Sequence, residues 1–184
     1  MQKQRCRWAN PANPLYLRYH DEEWGVPCHD ELRLFEMLNL EGAQAGLSWE
    51  TVLNKREAYR VAFDGWNAEL IAEYDAAKVE ALMQNAGIIR NRRKIEATIS
   101  NARCYLQLKQ ETGGLDAYLW RWTNGKTIHT DGVHVATSPL SDQISKDLKK
   151  RGFKFVGSTI IYAYLQATGI ICDHDADCDW RTPA

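Results

Sequence analysis

The chain has no apolar run approaching the ~20 residues that a membrane-spanning helix needs. Its basic opening, MQKQRCRWAN, leads into no apolar stretch either, so no secretory signal is read there. A soluble, cytoplasmic protein without membrane association is the expectation. An excess of one charge is also missing: 23 lysines and arginines meet 24 aspartates and glutamates, for a net charge of -1. Proteins that coat nucleic acid are far more basic, so any anion site here is local. There is no internal repeat and no low-complexity linker, and 184 residues make a single domain spanning 1–184. Only five cysteines are present. In a cytosolic chain they argue against a disulfide framework and leave core filling, metal ligation or nucleophilic roles. Strand-like alternation is scarce.

What is there is a globular composition, 45% hydrophobic and 26% charged, which excludes a disordered chain. Helical spacing recurs along it. Asp30 can cap a helix with Leu34, Phe35 and Leu38 on its apolar face. Asn67 can cap a second and Asp75 a third. A longer helix begins near Arg92 and ends at Gly113-Gly114. Leu115 to Trp122 has helical spacing, and Ser141 can cap a helix running to Lys150. Ser158 to Gly169 reads as a buried helix. The segment 123–139, rich in Gly, Thr and His, reads as a long loop and is the one candidate for irregular or extended structure. The fold class is all-α.

Three groups of residues carry possible chemistry. Two helices at about 76–108 are joined by Asn85-Ala-Gly-Ile-Ile-Arg-Asn91, and the second opens with basic residues. Its free N–H groups, with Arg90, Arg92, Arg93 and Lys94 around them, could hold phosphate without reading sequence. A plain helical hairpin with exposed bases would look the same. A second basic patch covers Lys146 to Lys154. Cys6, His20, His174 and Cys178 supply the donor set of a closed tetrahedral zinc site, although Cys28, His29, Cys104, His129, His134 and Cys172 offer other combinations. Seven tryptophans are many for this length. Trp8, Tyr16, Tyr19, Trp24 and Trp49 gather in the N-terminal quarter near Glu41. They suit either an aromatic core or a cage for a flat, cationic ring.

Four strings go further. Tyr19-His-Asp-Glu-Glu-Trp-Gly-Val-Pro27, Leu40-Glu-Gly42 with Gln44-Ala-Gly-Leu-Ser-Trp49, Ala86-Gly-Ile-Ile-Arg90 and Lys149-Lys-Arg-Gly-Phe-Lys-Phe-Val-Gly157 occur in the order and spacing of the bacterial 3-methyladenine DNA glycosylase I family, which they resemble. The resemblance covers nearly the whole chain. It implies a helix-hairpin-helix DNA glycosylase fold with the hairpin at Asn85–Asn91. It implies a structural zinc on Cys6, His20, His174 and Cys178 that joins the terminal segments, about 1–24 and 170–184. It implies that an extruded 3-methyladenine sits among Trp8, Tyr16, Tyr19, Trp24, Glu41 and Trp49. Glu41 and Tyr19 would bond to the base as the catalytic pair, and Trp49 would stack on it. Gln44 and Leu47 match the loop pushed into the DNA stack, while Gly87, Arg90, Arg92, Arg93, Lys94 and Lys150 would meet DNA. The chain departs from the family in having Ala43 before Gln44 and Asn91-Arg92-Arg93 after Arg90.

The implied activity is hydrolytic release of 3-methyladenine from alkylated double-stranded DNA by a cytoplasmic bacterial monomer, leaving an abasic site. Relatives of this superfold use an aspartate beyond the hairpin, and none stands between Asn85 and Gln110. Rival readings remain: a zinc-stabilised helical DNA-binding module or a glycosylase relative that recognises alkylated bases without cutting, and a metal-dependent hydrolase built on His129, Asp131 and His134.

Overall fold

The computed structural model describes residues 3–182. The protein is mostly helical. In chain order the helices are α1 (Pro14–Glu22), α2 (Glu31–Gln44), α3 (Trp49–Leu53), α4 (Arg56–Ala62), α5 (Ala68–Ala72), α6 (Ala76–Gln84), α7 (Arg92–Thr112), α8 (Leu115–Trp120), α9 (Pro139–Lys150) and α10 (Ser158–Ala167). No helix among the described residues is long and apolar enough to cross a membrane.

Short polar side chains start most of these helices by accepting from an orphan N–H of the first turn. Asp30, Asn67 and Asp75 do so for α2, α5 and α6 as the sequence indicates. Asn91 caps α7, and Gly113, in a left-handed conformation, ends it. The cap of α9 is Ser138, not Ser141. Ser141 occupies the third helical position and bonds back to the Ser138 N–H, forming a reciprocal capping box. The segment 123–139 is not wholly irregular. Ile128–His129 (β1) pairs in parallel with Ile171–Cys172 (β2), a strand the periodicity does not reveal.

The central helix is α2. Every residue from Leu34 to Ala43 is buried, because α3, α7, α8 and α10 pack around it. A helix enclosed on all sides has no solvated face for polar side chains. Three polar residues are nonetheless buried on it: Glu36, Asn39 and Glu41. Glu36 is matched by Arg56 at 2.9 Å and Arg60 at 3.0 Å, and Arg56 also reaches Glu23 at 2.7 Å. This network ties α1, α2 and α4 together. Asn39 accepts from Asn101 on α7 at 3.1 Å and donates to the Phe35 carbonyl. Only for Glu41 is burial offset by neither a hydrogen bond nor a nearby charge. An uncompensated buried carboxyl is costly, so its place marks a site.

Candidate active site and metal centre

Glu41 lies at a cavity of about 270 Å³ lined by Trp8, Tyr16, Tyr19, Trp24, Gln44, Trp49, His134, Val135, Ala163 and Gln166. All six residues of the implied base pocket therefore converge on one hollow. Helix α1 supplies Tyr16 and Tyr19, three apart and thus on one face. The cap of Ser48 on the Thr51 N–H starts α3 and sets Trp49. Tyr19 and Trp49 pack with ring centroids 5.2 Å apart, and Trp8 meets Tyr16 at 5.3 Å and Trp24 at 4.9 Å. The Trp49 Nε1–H is buried without a partner.

Burial pushes the Glu41 carboxyl up to about 8, so the cavity by itself holds it protonated at neutral pH. Burial, and then the neighbouring Glu41, push the Tyr19 hydroxyl well above its ordinary range. Tyr19 is therefore a fixed O–H donor. The site is largely aromatic, and its Glu41 is a single proton away from carrying a negative charge.

Four lining residues have no place in the pocket read from the sequence: His134, named there only as a possible metal donor, and Val135, Ala163 and Gln166. His134 is bracketed by Asp175 at 2.6 Å and Asp173 at 3.3 Å. Asp173 is fully buried and also accepts from Gln166 at 2.7 Å, from Tyr162 at 3.3 Å and from Thr130. Two aspartates of the acidic tail thus pin the 130–135 segment against the cavity. The clue in the sequence was a histidine in a loop, which alone fits many roles. Its occupied nitrogens also remove the basis of a hydrolase on His129, Asp131 and His134. Among the described residues the one group of converging metal donors lies elsewhere.

That group is Cys6, His20, His174 and Cys178, all buried, with ligand atoms within 4.8 Å of one another. Cys6 Sγ is 3.3 Å from His174 Nδ1, and Cys178 Sγ is 3.5 Å from both His174 Nδ1 and His20 Nε2. A tetrahedral zinc with ordinary Zn–S and Zn–N bonds needs S···N edges of about 3.6 Å, so the donor set fits. Burial lowers the pKa of His20 and takes His174 down to about 4, leaving the neutral imidazoles a metal requires. His20 Nδ1 bonds Asp21 at 2.8 Å, and Arg5 grips that carboxylate through two nitrogens at 2.7 and 2.6 Å, the outer support typical of ligating histidines. Trp24 packs edge-on against His174 with centroids 4.7 Å apart. The donor cluster and the aromatic cavity share a wall.

The hairpin sits on α4. Lys55 Nζ donates to the Ala86 carbonyl at 2.9 Å, the Ile89 N–H donates to the Tyr59 hydroxyl at 3.1 Å, and a Cβ on Gly87 would meet Ala58 at 2.9 Å. Its cations are not equivalent. Arg90, Arg92 and Arg93 are all exposed, but Arg92 is paired on the surface with Glu80 at 2.5 Å, and Lys94 bonds backbone carbonyls. Lys150 is exposed at the end of α9. The nearby Gly152 abuts Cys104, twelve residues and about 18 Å along α7 from Arg92. Gln44 and the partly exposed Leu47 form the turn after α2, with Gln44 on the cavity itself. A wider groove of about 490 Å³ between α1, α2 and α4 is lined by the paired arginines and glutamates of the ion network.

Fold and site thus define a helical protein with an acid-bearing aromatic cavity beside a basic hairpin. Comparison with known proteins specifies it. The methyladenine glycosylase family model matches residues 8–182. DNA-3-methyladenine glycosylase 1 of Escherichia coli (strain K12) is 48% identical over 179 residues, 95% of each chain. DNA-3-methyladenine glycosylase of Haemophilus influenzae is 43% identical over 182 residues, 97% of this chain and 98% of that one. A structure of 3-methyladenine DNA glycosylase I from Staphylococcus aureus, solved to explain 3-methyladenine recognition, superposes with a TM-score of 0.93 at 36% identity, covering 98% of this chain and 97% of that one. The chain belongs to the methyladenine glycosylase family.

Proposed function

We propose that this protein is a monofunctional DNA-3-methyladenine glycosylase of base-excision repair. It extrudes the damaged nucleotide from double-stranded DNA and hydrolyses the N-glycosyl bond, leaving an abasic site. The observation that carries the reading is Glu41, a buried carboxyl without a partner in an aromatic cavity of about 270 Å³. Methylation at N3 makes the adenine cationic, and a cation is what this carboxyl lacks. As the lesion enters, Glu41 gives up its proton to the solvent that the lesion displaces, and the ion pair forms in a medium that screens it weakly. Trp49 stacks on the ring, and Tyr19 donates to it from its fixed hydroxyl. Neutral adenine brings no charge to compensate the carboxylate, so the cavity selects against it. The cationic base is already a good leaving group, and Glu41 stabilises it as it departs.

Extrusion costs a few kcal/mol. Phosphate contacts from the hairpin offset part of that, while Leu47 and Gln44 fill the gap left in the stack. Cys6, His20, His174 and Cys178 would hold a structural zinc; with four protein donors it would fasten the terminal segments and activate no water. The protein works as a cytoplasmic monomer, and the single domain spans 1–184.

The test is release of free base from a duplex carrying 3-methyladenine, with products resolved by chromatography. The wild-type protein releases 3-methyladenine and leaves unmethylated adenine in place. Glu41→Gln stays folded and loses most of this activity. Absence of release by the wild type, or full activity in the variant, overturns the assignment.

A further inference from the structure

Lys94 opens the basic hairpin's second helix, yet its ammonium does not point to open solvent. Its Nζ donates to the carbonyl oxygens of Ala43 and Ala45, each at 2.7 Å. Ala43 lies in the last turn of α2, whose final carbonyls have no partner within the helix. That turn has no basic residue of its own, so a cation delivered from α7 meets the negative end of the helix dipole.

Ala45 is the second residue of the turn Gln44–Leu47. The Leu47 N–H donates to the Gln44 carbonyl at 2.7 Å and closes it. Ala45 has φ -48° and ψ 118°, and Gly46 has φ +78°. These are type II values, and the left-handed position is the one at which glycine is favoured. Types I and II differ by a flip of the central peptide, here Ala45–Gly46. The direction of the Ala45 carbonyl is therefore the turn type, and Lys94 holds that carbonyl. The same turn places Gln44 on the cavity and leaves Leu47 39% exposed.

We infer that Lys94 is a positioning residue that bolts the hairpin to the Gln44–Leu47 turn, holds that turn in type II, and so aims Leu47 and Gln44 at the duplex without itself contacting phosphate. The role rests on the glycosylase reading above. It also makes the hairpin do more than bind: a helix anchored on the backbone of DNA sets the register of the residues that enter the stack.

The variant Lys94→Met keeps the aliphatic stem and removes both hydrogen bonds. Single-turnover release of 3-methyladenine from duplex should fall by about ten- to a hundredfold, the usual loss when reacting groups are displaced by about 1 Å. Binding of free 3-methyladenine, read by tryptophan fluorescence, should stay within about twofold, and the salt slope for undamaged duplex should not change. Gly46→Ala, which disturbs the turn while leaving Lys94 intact, should lose a similar factor. The double variant should be no worse than either single one, since both break one arrangement. A slope smaller by about 0.9 in Lys94→Met would mean a phosphate contact and overturn the inference, as would undiminished release. Backbone amide shifts of Gly46 and Leu47 decide the question without catalysis: they should move in Lys94→Met and be largely restored in Lys94→Arg. Unmoved shifts refute the bolt even if the glycosylase assignment itself fails.

Discussion

Glu41 shows how a single side chain can be set against the stability of its own protein. Its carboxyl sits near 4.5 when exposed and is pushed up to about 8 in the fold. Raised in the folded state, the group favours folding at low pH, and that advantage disappears as pH climbs from about 4.5 to about 8. Each pH unit in that window costs about 1.4 kcal/mol, a few kcal/mol in all. Glu41→Gln removes the penalty. Its melting temperature should match the parent near pH 4.5 and exceed it by several degrees at pH 8, as calorimetry across that range would show. A variant that gains nothing at high pH would mean that Glu41 is not desolvated. Stability surrendered at a site is a common mark of function. Here it is visible because Glu36 and Asn39, buried on the same helix, both have partners.

Elements decide which charges are free to act. The hairpin's basic string reads as four equivalent cations, but the folded hairpin divides them. Glu80 on α6 takes Arg92, and the end of α2 takes Lys94. Arg90 and Arg93, exposed like Arg92, pair with no carboxylate among the described residues. Replacing these two by alanine should lower the salt slope of DNA binding by about 2, whereas Arg92→Ala should change it little, measured by titrations between low and moderate salt. Equal effects from all three would mean that Glu80 releases Arg92 when DNA binds. Glu31 shows the same logic in packing. At the start of α2 it accepts from the Leu115 and Asp116 N–H groups at 3.0 and 2.7 Å and so caps α8. A Cβ on Gly114 would collide with its carboxylate, so only glycine lets the two helix starts meet.

At the scale of the molecule, the terminal segments form part of the site's support. Cys6 and Cys178 lie at opposite ends of the chain, and the cavity-lining Trp8 and Trp24 pack on His20 and His174 of the same cluster. Termini fray unless tied, and the donor cluster ties these. The purified protein should carry one zinc by elemental analysis. Cys178→Ser or removal of the metal by a chelator should lower the melting temperature by roughly 10 °C or more. It should also weaken binding of 3-methyladenine, because Trp24 loses its backing. Protein that is metal-free as isolated, with unchanged stability, would refute the zinc centre.

By itself the sequence determined what short-range chemistry controls. Asp30, Asn67 and Asp75 cap the helices they precede, Gly113 stops α7, and the four motif strings identify the family. Helix caps and turn residues act over three or four positions, so they are written locally. Where the pattern misled, a neighbour a few residues away competed for the same role: Ser138 displaced Ser141 because Pro139 fits the first helical position behind it. Tertiary structure decided the partners. That His134 and Gln166 share Asp173, that Lys94 bonds α2 and not solvent, and that Glu41 alone on its helix goes uncompensated are contacts between residues up to dozens of positions apart. Charge and hydrogen-bonding capacity are properties of a residue, but whether they are already spent depends on what the folded chain brings within about 3 Å.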